Sequence, residues 1–194
     1  MVYQLKISLL NSKPEIWRRV LVPENLSFYG LHRVIQIAMG WGDSHLFQFH
    51  YGEFGFSDSI TLKEYIDEEI KYEAAMAGAK IMDARRKKIK SYFTSNELIF
   101  YTYDYGDFWE HTVVKEEVVD LPLNEIGCID GSGACPPDDC GGIHGYYEML
   151  KSLKNPKDPE NESWRVWLGL SKNDNYEDSF GFKRELVNVF MKDI

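Results

Sequence analysis

The sequence predicts an α+β domain in which a mixed or antiparallel sheet packs against one amphipathic helix, with a charged helical insertion and a short C-terminal helical region. Three observations carry that expectation. Tyr3, Leu5, Ile7 and Leu9 alternate with polar residues, and a second alternating run spans Ile16 to Val22, which is the period of half-buried strands. Leu31, Val34, Ile35, Ala38 and Met39 recur at i, i+3, i+4, i+7 and i+8, the period of a helix with one apolar face. The stretch Tyr101 to Glu116 alternates on both sides of a Gly106-Asp107 turn signal and reads as a hairpin.

The elements follow in order. Asn11-Ser12-Lys13-Pro14 turns the first strand into the second. Trp17 and Arg19 share one face of that second strand and Arg18 takes the other, so at least one arginine sits at the margin of the core. Ser27 is the expected N-cap of the helix and Gly40 its stop. His32 borders the apolar stripe as a hydrogen-bonded boundary residue. A third strand, Ser44 to Tyr51, carries aromatic or apolar groups on both faces, which suits a central place in the sheet. The segment from Thr61 to about Lys90 reads as a peripheral helical insertion, with residues 60–92 as its bounds; its basic run, Arg85 to Lys88, is accounted for by a solvated face. Val118 to Leu123 leads into a long loop, Gly127 to Gly145, whose prolines and glycines imply a fixed irregular shape. A short helix over Tyr146 to Leu153 and a closing amphipathic helix containing Phe182, Leu186, Val189 and Phe190 complete the chain.

Composition bounds the function. A chain of 194 residues, 44% hydrophobic, can bury one core, and a single domain over 1–194 is expected. With 31 acidic against 22 basic residues the net charge is -9, which disfavours nucleic acid as a partner. No apolar run is long enough to span a bilayer, and three cysteines make no disulfide scaffold, so a cytoplasmic protein with no membrane association is expected.

Several of these segments together resemble a known family. Pro14-Glu15-Ile16-Trp17-Arg18-Arg19, Leu31-His32 with Met39-Gly40-Trp41 and His45-Leu46, Tyr103 to His111, and Ala134-Cys135-Pro136-Pro137-Asp138-Asp139-Cys140-Gly141-Gly142 with Gly145-Tyr146 are similar to the plasmid pRiA4b ORF-3-like family. The resemblance implies an α+β domain of prokaryotic or mobile-element origin and of unestablished activity; some members are labelled insertion-element resolvases. This chain shows no helix-turn-helix with a basic recognition helix. Asp139 stands where the family pattern most often has Glu, which keeps the charge and shortens its reach.

Three groupings could carry chemistry; the third, a Cys nucleophile activated by His111 or His45, requires a spatial contact that no spacing in the sequence supplies. Asp104, Asp107, Trp109 and His111 on the hairpin, with Asp138 and Asp139 from the loop, form the expected polar site; in its cation-binding form His45 or the loop carboxylates complete it. A type II′ turn at Gly106-Asp107 would place Asp104 opposite Trp109 and Thr102 opposite His111, with Tyr101, Tyr103 and Tyr105 on the other face. Turn chemistry alone also explains Asp104 and Asp107. Cys135, Cys140 and His144 have gaps within the range of structural zinc ligands but lack a C-x-x-C knuckle. The favoured reading is a non-catalytic binding module, without a cofactor, for an unidentified protein or small-molecule partner, with Trp41, Tyr101, Tyr103, Tyr105, Phe108 and Trp109 as anchoring aromatics. The alternative is a metal-dependent hydrolase using a divalent ion such as zinc at the 104–111 hairpin and the 134–142 loop.

Overall fold

Alternation along the strands builds one mixed eight-stranded sheet in the computed structural model, which describes residues 1–122 and 126–194. The end of the Val118 to Leu123 connector therefore lies outside the described residues. Strands β1 (Val2–Leu9) and β2 (Trp17–Pro23) form the expected opening hairpin. With β3 (Phe47–His50), β4 (Ser59–Thr61), β5 (Ile81–Asp83), β6 (Leu98–Tyr103), β7 (Trp109–Val119) and β8 (Gly127–Ser132), the sheet order is β5-β4-β3-β6-β7-β1-β2-β8. Every pairing is antiparallel except β4 with β5.

Register places one residue set on a single face. Leu5 lies opposite Val20, Ile7 opposite Val113, Leu9 opposite His111, Tyr101 opposite His111 and Phe49 opposite Tyr101, and all are buried. Gln4, Lys6, Ser8, Trp17, Arg19, Glu110 and Thr112 alternate with them and are half-buried on the other face. Helix α1 (Phe28–Met39) supplies the cover for the buried face: its ring contacts include Phe28 with Phe49 at 5.0 Å and His32 stacked on Phe47 at 3.6 Å. The Ser27 side chain accepts from the Gly30 amide, and Gly40 ends the helix at φ 93°, a left-handed conformation that costs glycine little.

Two boundary residues turn out to be interior. His32 is fully buried, because its Nδ1 meets the Tyr101 hydroxyl at 2.8 Å and its Nε2 the Asp43 carboxylate at 2.7 Å. Arg18 is 2% exposed; its guanidinium donates to the carbonyls of Ala38, Trp17, Ser132 and Gly133, which together replace water. Arg19 stays at the surface, paired with Glu116 and lying over Trp17, as expected of a solvated strand face.

The insertion is only partly helical. Helix α2 (Glu68–Met76) is peripheral, with none of its residues buried, but β4 and β5 extend the sheet on either side of it. Beyond β5, the carbonyls of Ala84 and Lys87 accept from the amides of Tyr29 and Phe28, and Ala84 and Ile89 are fully buried. The chain thus braces the start of α1 before the short helix α3 (Lys90–Phe93). Within the basic run, Arg85 pairs with Glu64 and Arg86 with Asp83.

The expected long loop is shorter at both ends. Residues 127–132 pair with β2 as an edge strand, with a register shift between Arg19 and Val20, and α4 (Gly142–Lys154) begins at Gly142 instead of Tyr146. Helices α5 (Asn161–Leu168), α6 (Tyr176–Phe180) and α7 (Arg184–Phe190) complete the chain. Among the described residues no helix is long and apolar enough to cross a membrane.

Candidate functional site

The hairpin turn differs from the expected type II′ turn, and the difference reassigns its faces. Asp104 and Phe108 both adopt φ 56°, the left-handed region that Asp tolerates better than most residues. The Asp104 carbonyl accepts from the Phe108 amide at 2.7 Å, and Asp104 Oδ1 accepts from the Gly106 amide at 2.9 Å. Asp104 therefore belongs to a five-residue loop, and Tyr103, not Asp104, lies opposite Trp109. A one-residue shift exchanges faces. Tyr101 and Tyr103 join Trp109 and His111 in the core, while Thr102 lies opposite Glu110 on the other face.

His111 is therefore a core residue. It has no exposed surface, and its Nδ1 lies 3.0 Å from the Trp109 carbonyl and 3.3 Å from the Tyr101 carbonyl. Burial lowers its pKa to about 4, so the ring is neutral near pH 7. Trp109 is 1% exposed beside Trp41. Of the expected anchoring aromatics, Trp41, Tyr101, Tyr103 and Trp109 are buried, whereas Tyr105 and Phe108 are exposed on the hairpin loop.

The imidazole that reaches the carboxylates is that of His45. A closed network sets its place. Gln36 Nε2 donates to the Tyr101 hydroxyl, His32 links Tyr101 to Asp43, and the Asp43 amide donates back to Gln36 Oε1 at 3.0 Å. Because a carboxylate only accepts, His32 Nε2 carries the proton, and its Nδ1 accepts from Tyr101. The turn after α1 is thereby pinned, and the Ser44 amide is held by the Tyr103 hydroxyl. Leu46 accepts from the Asp104 amide at 2.9 Å, which brings the chain at His45 alongside the hairpin loop.

The loop from Ala134 to Gly141 arrives from the other side. Three successive carbonyls are each capped by an aromatic donor: Ala134 by Tyr146, Cys135 by Tyr176 and Pro136 by the Trp41 indole. Asp107 Oδ2 accepts from the Gly141 amide at 3.1 Å, so the two loops meet. Gly142 closes the junction at φ 66°, where a Cβ would stand 2.5 Å from the Asp107 carbonyl oxygen. Only glycine fits that approach.

These contacts gather His45, Asp104 and Asp139, whose ligating atoms all lie within 4.8 Å of one another. His45 Nε2 is 3.4 Å from Asp139 Oδ1 and 3.8 Å from Asp104 Oδ2, yet this buried atom of a half-buried side chain makes no hydrogen bond among the described residues. Asp104 is 7% exposed. Asp138 is half-buried beside them, and among the described residues one of its carboxylate oxygens is buried without a partner. Burial raises its pKa, with the nearby Gly42 amide and His45 opposing and the neighbouring Asp139 and Asp104 adding to the rise.

Of the expected site residues, then, Asp104, Asp138 and Asp139 surround one imidazole, Asp107 fixes the junction, and Trp109 and His111 lie in the core. Cys135 and Cys140 are buried free thiols whose pKa values are raised by burial, while His144 is exposed on the first turn of α4. Their ligating atoms do not converge as a metal-binding group among the described residues. From the sequence, His45 is expected only as one of two ways to complete a cation site centred on His111, and as part of the His45-Leu46 pair. Its contact with Asp139 is long-range and has no local trace.

A one-sheet α+β domain, with a His and carboxylate cluster clasped between a hairpin loop and a proline-rich loop, is the class that this geometry defines. The chain belongs to the plasmid pRiA4b ORF-3-like protein family, whose sequence profile matches residues 1–188. It is 32% identical over 188 residues to the uncharacterized protein y4hQ of Sinorhizobium fredii, covering 96% of this chain and 91% of that one. It is also similar to the crystal structure of a protein of unknown function, MM3350, from Methanosarcina mazei Go1. There the TM-score is 0.73 and the identity 33%, over 90% of this chain and 91% of that chain.

Proposed function

We propose that the domain is a non-catalytic binding module whose site is a divalent cation, zinc foremost, held by His45 Nε2, Asp104 Oδ2 and Asp139 Oδ1. The observation that carries the reading is the buried, unbonded His45 Nε2, at 3.4 and 3.8 Å from two carboxylate oxygens. Tetrahedral zinc with ligands at roughly 2.0–2.1 Å spaces those ligands about 3.4 Å apart. A hydrogen-bonded histidine would instead point its N–H along one of these lines. Three protein ligands leave a position that a donor from a protein or small-molecule partner completes. Tyr105 and Phe108, exposed on the loop that carries Asp104 and packed on Phe54, offer a partner further apolar contact on that loop.

The test is elemental analysis of protein stripped with chelator, reloaded with zinc and dialysed. About one zinc per chain is expected for the native protein and for Asp107→Asn, and none for His45→Ala with Asp139→Asn. Zinc retained by that double variant, or no uptake by the native chain, overturns the reading.

One observation favours a second reading, a metal-dependent hydrolase: the raised carboxyl of Asp138 beside the cluster is suited to moving a proton to or from a metal-bound water. In that case a zinc-loaded protein hydrolyses an activated ester or phosphoester, and Asp138→Asn retains zinc but loses turnover. As a module, the loaded protein turns over neither.

A further inference from the structure

We infer that a second site, outside the His45 cluster, binds a small organic anion with an apolar body. The observation is a cavity of about 720 Å³ between the turn after β1, the end of β8, α4 and the chain at Phe182. Its volume lies in the range of pockets that enclose small molecules. Ile16, Leu150 and Phe182 give it apolar walls.

Charge selects the occupant. Lys13, Lys151 and Lys154 line the cavity, opposed by one lining carboxylate, Glu177. Among the described residues Lys13 and Lys154 make no ion pair; Lys151 meets Glu148 one turn away at 3.1 Å, with both side chains at least 70% exposed. Such a pair holds its cation weakly.

A fourth cation stands behind the wall. The Arg18 guanidinium lies 4.6 Å from the Phe182 ring, and a Cβ on Gly131 would come within 2.9 Å of the Arg18 side chain. Among the described residues Arg18 is bonded only to carbonyl oxygens, and none of their carboxylates pairs with it. Carbonyl dipoles solvate the guanidinium and leave its net charge in place, and the low dielectric behind Phe182 lets that charge act across the wall. In a chain of net charge -9, this cavity inverts the sign of the surface around it. A carboxylate or sulfonate head among the lysines, with its ring or acyl body against Phe182 and Leu150, satisfies both features. Nothing here depends on a cation at His45.

The test uses 8-anilinonaphthalene-1-sulfonate, an aromatic sulfonate, as probe, with the uncharged N-phenyl-1-naphthylamine for comparison. Saturable binding of the sulfonate at one site per chain is expected, weakened by added salt and by about tenfold in Lys151→Glu with Lys154→Glu, four charge units removed at an exposed rim. The uncharged probe binds that variant as it binds the native protein. Both lysines are exposed, so the fold survives their replacement. His45→Ala with Asp139→Asn leaves the sulfonate affinity unchanged, which separates this site from the cation site. Unsaturable or absent sulfonate binding, an affinity indifferent to the lysine changes, or an equal loss of the uncharged probe overturns the proposal.

Discussion

At the scale of single residues, burial decides the behaviour of the core histidines His32, His50 and His111, outweighing the carboxylates beside the first two. His111 packs against the rings of Trp41 and Tyr101, and its pKa falls from 6.5 to about 4 because desolvation penalises the charged ring. The unfolded chain therefore takes up a proton between pH 6.5 and 4 that the folded chain refuses. Stability from this group is complete above about pH 6.5 and declines as the pH falls toward 4, by at most roughly 3 kcal/mol. Burial also lowers the pKa of His32 and of His50, so they act in the same direction. Thermal melts across that window are expected to show a shallower decline for His111→Asn, which keeps a donor for the Trp109 carbonyl but cannot titrate. An unchanged slope would place the acid sensitivity elsewhere.

At the scale of elements, legibility followed from local repetition. α1, with its Ser27 cap and Gly40 stop, and the opening hairpin were readable because a regular period runs through each. The hairpin at 101–116 was readable as a pair of strands but not in register, since the five-residue loop opened by the left-handed turn at Asp104 shifts the pairing by one residue and moves Tyr101 and Tyr103 to the face of Trp109 and His111. β4 and β5 are three residues each, too short for alternation to be counted, and β8 contains two glycines and an aspartate that no strand pattern selects. The proline-rich loop was readable as rigid, whereas the donors that make it so come from α4, α6 and the turn after α1. Tyr176→Phe tests that account. The change leaves the buried Cys135 carbonyl without its 2.6 Å partner, and a loss of about 1–2 kcal/mol in denaturant unfolding is expected. A loss below a few tenths of a kcal/mol would mean that the loop holds its shape without the tail.

At the scale of the whole molecule, the carboxylates of the candidate site were visible in the sequence but their meeting point was not. Asp104, Asp138 and Asp139 stood out by motif; His45 joins them only because the Gln36–Tyr101–His32–Asp43 network, the Leu46 carbonyl and the Trp41 to Pro136 bond place three separated stretches together. The cap on the Cys135 carbonyl carries this dependence further, to a part of the chain that contributes no ligand at all. Tyr176 belongs to the tail, so ending the chain before it is expected to reduce zinc uptake measured by dialysis while leaving His45, Asp104 and Asp139 intact. Cation affinity in this domain would then serve as a gauge of whether its last helices have docked, with ligand binding and completion of the fold read out by one measurement.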